Sequence, residues 1–144
     1  MRYSLLSTFL LLGFHSYFSY GDAYVGYVWF DNIMHFIGGI VAGYLVFTFL
    51  RERVRRGGMV IRGKWLIFLL SISGAEFLGV LWEFFEYLDT YLKIFIRQPE
   101  FMSYADTISD LFLDLAGASL AVLFCIILGS HSSWVKYDRE KSVS

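Results

Sequence analysis

The sequence predicts an all-α integral membrane protein: a polytopic bundle of four transmembrane helices with both termini in the cytoplasm. Composition is the first observation behind this prediction. Of the 144 residues, 57% are hydrophobic and 17% are charged, whereas a soluble domain carries about 45–50% apolar and about 25% charged residues. A water-soluble fold of this length would therefore expose large apolar patches. A single cysteine and a net charge of −1 argue against a disulfide-built secreted domain and against a nucleic-acid-binding protein.

The second observation is the length of the apolar stretches, because crossing a hydrocarbon core takes about 20 apolar residues. Four stretches qualify, and most have aromatic residues near their ends, where amphipathic rings prefer the interface: 3–20, 29–50, 65–87 and 104–128. The first stretch is short, like a signal peptide, but no small-x-small cleavage site follows it, which favours a retained helix. Residues 1–144 then form one transmembrane domain with a basic loop (51–64), an interfacial segment (88–103) and a tail (129–144).

The distribution of basic residues predicts the orientation of the bundle. Of the 12 Lys and Arg residues, only Lys93 and Arg97 fall on the side of the predicted membrane that lacks the 51–64 loop. Because cytoplasmic loops carry an excess of Lys and Arg, this loop and both termini are predicted to be cytoplasmic. The predicted location is the inner membrane of the cell, which the chain crosses several times.

The acidic residues have the opposite distribution. Of the 13 Asp and Glu residues, only Glu52, Asp138 and Glu140 fall on the cytoplasmic side. In the last three spans, acids and one histidine recur at helical spacings, in the sets Asp31 and His35; Glu76, Glu83 and Glu86; and Asp106, Asp110 and Asp114. Small residues that mark helix contacts in membranes continue the same helix faces. These side chains are therefore predicted to converge on one pocket in the outer half of the bundle.

Carboxylates in a bilayer need compensation, because an ionised one costs about 2.5–3.5 kcal/mol on insertion scales. Protonation, a water-filled cavity and bound cations are all open solutions. Oxygen ligands suit Mg, Ca or Mn, and a histidine adds Zn or Fe to the candidates. The predicted ligands of a divalent metal are His35, Glu83, Glu86, Asp106, Asp110 and Asp114. Asp31 and Asp106 also open helices, where an acid caps free amides. Both are interpreted as mainly structural for that reason, although Asp106 is kept among the candidate ligands.

Three function hypotheses follow from this pocket and from the basic loop. The first is a cation site that acts on a lipid-linked or envelope substrate by metal-assisted hydrolysis or transfer, with Glu83, Glu86 and Asp110 as catalytic candidates. Whether the chain is an enzyme stays open at this stage. The second is cation or proton transport with Glu76 and Asp114 as the relay, which in four helices would require a homo-oligomer. The third is a non-catalytic membrane subunit that docks a partner through its basic loop.

The expected partners are the lipid bilayer, a lipid-linked substrate and further copies of the chain, with no nucleic acid.

The acidic motifs also carry a resemblance. The run from Phe30 to Phe36 resembles the YjdF-like family of bacterial inner-membrane proteins, which has an Asp-x-x-x-His-Phe opening, then a Glu-x-x-Glu pair, then Asp-Thr-x-x-Asp leading to Gly-Ala. The matching residues are Asp31 and His35; Glu83 and Glu86; Asp106, Thr107 and Asp110; and Gly117 and Ala118. The similarity covers about residues 29–122. The sequence is also similar, more loosely, to VanZ-like proteins, which tend to have Gln in place of Glu86. The resemblance implies these site residues and, through the VanZ-like proteins, a link to glycopeptide resistance at the outer cell surface.

Overall fold

The computed structural model describes residues 28–92 and 103–129, and these form three α-helices. Helix α1 is Val28–Arg55, α2 is Lys64–Leu92 and α3 is Tyr104–Gly129. Each helix is long and apolar enough to cross a membrane. Within the two described stretches there is no β-strand. All three helices pack against one another, with the most extensive contact between α1 and α3.

The prediction of four transmembrane helices is wrong, because residues 28–92 and 103–129, which the structure describes, form three helices of membrane-spanning length. The predicted first span, 3–20, lies outside the described residues, as do 93–102 of the predicted interfacial segment and the tail from 130 onward. An apolar stretch slightly short of 20 residues is compatible with several structures besides a spanning helix. Hydropathy alone therefore could not fix the number of spans.

The end of α1 is defined by a glycine turn that begins the basic loop. Gly57 has a φ of +71°, a conformation that favours glycine because a side chain would be strained there. The Gly57 N–H donates to the Val54 carbonyl and the Gly58 N–H donates to the Arg53 carbonyl, both at 3.0 Å. This pair of bonds satisfies carbonyls that the helix end would otherwise leave unpaired. The helix therefore continues about one turn beyond the predicted limit at residue 50.

The start of α3 is capped by a serine rather than by an aspartate. The Ser103 hydroxyl accepts a hydrogen bond of 3.1 Å from the Asp106 N–H, which is the usual N-cap arrangement. Asp106 is thus the third residue of the helix, and its carboxyl group is not the cap that the sequence interpretation gave it. Asp31 lies in the first turn of α1, three residues after the helix begins at Val28.

Glycines allow α1 and α3 to pack with their backbones in contact. A Cβ atom on Gly39 would overlap the Asp114 carbonyl oxygen, and one on Gly117 would overlap the Phe36 carbonyl oxygen. A Cβ on Gly43 would come within 2.8 Å of the Cα of Ala118, which is fully buried. These contacts confirm the prediction that small residues mark the helix contacts. They also fix the register between the two helices.

The interior of the bundle is divided into an apolar end and an acidic end. Phe47 and Leu50 of α1, Ile67 of α2 and Val122 of α3 form a buried apolar cluster near the basic loop. Most other large apolar side chains point outward, as Phe77 does at 63% exposure, which suits contact with lipid. Most acidic residues of the three helices lie at the opposite end, away from the loop.

Candidate metal centre

His35 is the centre of the acidic end, because one of its ring nitrogens faces a carboxylate from each helix. The Nε2 atom lies 3.8 Å from Asp31 Oδ1 of α1, 3.8 Å from Glu83 Oε1 of α2 and 4.0 Å from Asp110 Oδ2 of α3. These distances exceed the 2.7–3.2 Å typical of N–H···O hydrogen bonds. His35 is 4% exposed and Asp110 is 2% exposed. Three carboxylates therefore surround a buried nitrogen without bonding to it directly.

The other ring nitrogen of His35 is held by Asp114. Its Nδ1 atom lies 3.3 Å from Asp114 Oδ2 in a buried contact. Because an ionised carboxylate only accepts hydrogen bonds, this contact favours the tautomer with its proton on Nδ1 and the Nε2 lone pair facing the three carboxylates. A carboxylate on the second nitrogen is typical of histidines that bind metals.

A glycine in α2 makes room for the Asp114 side chain. A Cβ on Gly79 would lie 2.6 Å from Asp114 Oδ2, so this carboxylate rests against the backbone of α2. Asp114 therefore contacts His35 of α1 while it packs on α2 from α3. Its position depends on all three helices at once.

Two sets of three side chains each bring one ligand atom apiece to within 4.8 Å of one another. The first set is Asp31, His35 and Asp110, and the second is His35, Glu83 and Glu86. Zinc lies about 2.0–2.2 Å from nitrogen and oxygen ligands, and calcium lies about 2.3–2.6 Å from oxygen. One cation can therefore join atoms that are about 4–5 Å apart. The spacing in both sets is compatible with a bound cation.

Two buried oxygens of these sets have no hydrogen-bond partner among the described residues: Asp110 Oδ1 and Glu83 Oε1. The Thr107 side chain interacts with Glu83, yet Oε1 is left without a partner. A buried acceptor without a partner costs about 1–3 kcal/mol, and more when it is charged. Such atoms are uncommon in folded proteins and are often explained by a missing ion or water.

The charge of the site is strongly unbalanced. Residues 28–50, 65–92 and 103–129 contain no Lys or Arg. Five carboxyl groups surround one imidazole, from Asp31, Glu83, Glu86, Asp110 and Asp114. Removing charges from water is expensive unless a partner of opposite sign is close. When ionised, these groups therefore need a cation that the surrounding helices do not supply.

A comparison with protein families relates this site to known sequences. A family model described as "Predicted membrane protein (DUF2238)" matches residues 2–131. The chain belongs to the DUF2238 family of predicted membrane proteins. No curated protein and no solved structure matches it. Together with the three apolar helices, membership of DUF2238 supports a membrane location. The resemblance to YjdF-like proteins is consistent with this family, whereas the match gives no support to a likeness to VanZ-like proteins.

In this DUF2238 protein, most of the predicted site residues lie close together in the structure. The structure brings together His35, Glu83, Glu86, Asp110 and Asp114. Asp106 belongs to neither ligand set, because it lies one turn nearer the start of α3 than Asp110. Glu76 also lies outside both sets; it interacts electrostatically with Asp114.

Sequence reasoning underestimated Asp31 and Thr107. Asp31 was interpreted mainly as a helix-opening acid, yet its carboxylate faces His35 Nε2. The signal was available, since the two residues are four apart and share a helix face. Thr107 was noted only for its match to the family motif, and its contact with Glu83 joins α2 to α3 and could not be read from either helix alone.

The basic loop is partly neutralised by its own helix. Glu52 accepts hydrogen bonds from Arg55 at 2.7 Å and from Arg56 at 2.6 Å. Both arginines are mostly exposed, and ion pairs of this kind contribute little to stability. The loop is therefore basic, but two of its arginines share a carboxylate within the chain.

Proposed function

We propose that this DUF2238 protein binds a divalent cation within the membrane, with His35 Nε2, Asp31 and Asp110 as ligands and Glu83 and Glu86 beside them. One observation carries the proposal: three carboxylates from three helices surround one buried nitrogen at 3.8–4.0 Å. An imidazolium would leave its Nε2–H without a hydrogen bond at those distances. A cation at Nε2, Asp31 and Asp110 would give these three groups a partner and would lie beside Glu83.

The ligand types limit which cation the site would take. Carboxylate oxygens suit Mg, Mn and Ca, whereas imidazole suits Zn and other transition metals. A set with one nitrogen and several oxygens is best matched by Mn or Zn, with Mg and Ca as weaker candidates. Asp114 would orient His35 rather than bind the cation, since its carboxylate already contacts Nδ1.

The proposed chemistry is hydrolysis or transfer on a lipid-linked or envelope substrate. A bound divalent cation polarises phosphoryl or carbonyl oxygens and activates water. A carboxylate that is not needed as a ligand would serve as general base, and the candidates are Glu83 and Glu86. Supporting this proposal, the acidic end lies opposite the basic loop, and the positive-inside rule puts that end on the outer side of the membrane.

Metal content of the purified protein tests the cation site. The wild type, purified in detergent without chelator, is expected to hold a divalent metal in stoichiometric amounts. Asp110→Asn should lose most of it, because the mutation removes a ligand charge at a fully buried position. A cation at about 100 times its Kd should also stabilise the wild type against unfolding by about 2.7 kcal/mol.

Asp106→Asn is the matched control for Asp110→Asn, since it makes the same change on the same helix face but outside both ligand sets. It should keep its metal and its stabilisation. Equal metal loss in both variants would show that general acidity, and not the arrangement around His35, binds the ion. Absence of Mg, Mn, Ca and Zn from the wild type would contradict the proposal.

A second candidate function is cation transport, and it is favoured by Glu76. This residue lies seven positions before Glu83, about 10 Å further along α2 toward the basic loop. Its Oε1 atom is buried with no hydrogen-bond partner in the part of the chain that the structure describes. Together with Asp114 it would continue the acidic path from the metal centre toward mid-membrane.

Flux into liposomes distinguishes transport from binding alone. If the path is used, Glu76→Gln should lower Mn²⁺ or proton uptake at least about tenfold while it leaves the metal content of the centre unchanged. Ser73→Ala, on the exposed side of the same helix, is the control and should not change uptake. Wild-type flux no greater than that of empty liposomes would exclude the transport function.

A further inference from the structure

The two ligand sets around His35 divide the centre into two compartments. The Asp31–His35–Asp110 set joins α1 to α3, and the His35–Glu83–Glu86 set joins α1 to α2. The sets share only His35. No set within 4.8 Å combines Asp31 or Asp110 with Glu83 or Glu86. A single ion at His35 is therefore not expected to bind all four carboxylates.

Each compartment contains its own buried oxygen without a partner. Asp110 of the first set has an Oδ1 atom, and Glu83 of the second set has an Oε1 atom, without a hydrogen-bond partner among residues 28–92 and 103–129. Asp110 is 2% exposed, so bulk water does not satisfy it. Both compartments therefore contain a buried acceptor that a ligand would satisfy.

Charge balance also favours more than one cation. The five carboxylates carry five negative charges when ionised, and residues 28–50, 65–92 and 103–129 contain no Lys or Arg. One divalent cation offsets two of these charges, whereas a pair offsets four. Because uncompensated charge at membrane depth is costly, the pair is the better match to this ligand set.

We propose that the centre holds two divalent cations, one at Asp31, His35 and Asp110 and the other at Glu83 and Glu86. This inference rests on the proposed cation site and specifies its composition. Glu83 is best suited to bridge the two ions, because its Oε1 lies as close to His35 Nε2 as Asp31 Oδ1 does. Paired cations in protein sites lie about 3.5–4 Å apart and act together on phosphoryl groups. The ligand class that fits such a centre is a phosphate ester or diphosphate.

The number of bound ions and their magnetic coupling test this inference. Metal-free wild-type protein in detergent is titrated with Mn²⁺ and, separately, with Zn²⁺, and bound metal per chain is measured by equilibrium dialysis. We expect two ions per chain. The electron paramagnetic resonance spectrum of the Mn²⁺ form should show spin coupling between the ions. Glu86→Gln should reduce the count to one and abolish the coupling, whereas Asp106→Asn should change neither.

The outcomes separate this inference from the proposed function. One ion per chain in the wild type would overturn the two-cation centre and leave the cation site standing. Two ions without coupling would likewise overturn it, because the ions would then occupy distant sites. No bound Mn²⁺ or Zn²⁺ would overturn both proposals. If Glu86→Gln fails to fold, as judged by gel filtration, Glu86→Asp replaces it and should keep the charge but weaken the second ion at least about tenfold.

Discussion

Replacing His35 with glutamine should weaken divalent-cation binding more than about 100-fold. The Nε2 atom is the point that Asp31, Glu83 and Asp110 have in common, and an amide provides no comparable nitrogen lone pair. Removing a partner that only orients a ligand costs about 10–100-fold in metal affinity. Loss of the proposed ligand itself should exceed that range. Isothermal titration of the detergent-solubilised protein with Mn²⁺ or Zn²⁺ measures the change in Kd.

Tyr44→Phe serves as the control for the His35 variant. Tyr44 is on the same helix, is exposed and lies nine residues further toward the basic loop. The Tyr44→Phe variant should therefore bind the cation with the same Kd as the wild type. Circular dichroism should show the same helix content in both variants. A His35→Gln protein that is folded and binds the cation within about threefold of the wild type would show that His35 is not a ligand.

Replacing Gly117 with alanine should strongly destabilise the bundle. The new Cβ would overlap the carbonyl oxygen of Phe36, which belongs to the backbone of α1 and cannot rotate away as a side chain can. Overpacking of this kind costs about 1–3 kcal/mol and occasionally more. The resulting shift of α1 against α3 would also move His35 away from Asp110 and Asp114. In mixed micelles, the variant should therefore unfold at a lower SDS fraction than the wild type. It should also bind the cation more weakly.

Gly58→Ala is the matched control, because its Cβ would meet only the guanidinium of Arg53 at 3.4 Å. That flexible side chain can move, so the change in stability should be within about 0.5 kcal/mol. If Gly117→Ala unfolds at the same SDS fraction as the wild type, the backbone contact between α1 and α3 is not as close as the structure has it.

The membrane class and the positions of three spans were predictable from composition and apolar length. The spans predicted at 29–50, 65–87 and 104–128 correspond to α1, α2 and α3, although α1 and α2 extend several residues further. Helices end at hydrogen-bonding signals such as the Gly57 turn, not at the edge of the hydrocarbon, and this explains the longer bounds. The number of spans was not predictable, since hydropathy scores each stretch without regard to what packs against it.

By itself, the sequence determined which polar side chains share a helix face. The spacing of Asp31 to His35, and of Asp110 to Asp114, fixes that through helical periodicity alone. The tertiary structure decided their partners: Asp114 reaches Nδ1, Asp31 turns toward Nε2, and Asp106 stays outside both ligand sets. The reason is the close contact of α1 with α3 at glycines such as Gly39 and Gly117. That contact sets the height and rotation of one helix relative to the other. The periodicity of a single helix cannot predict this relative position.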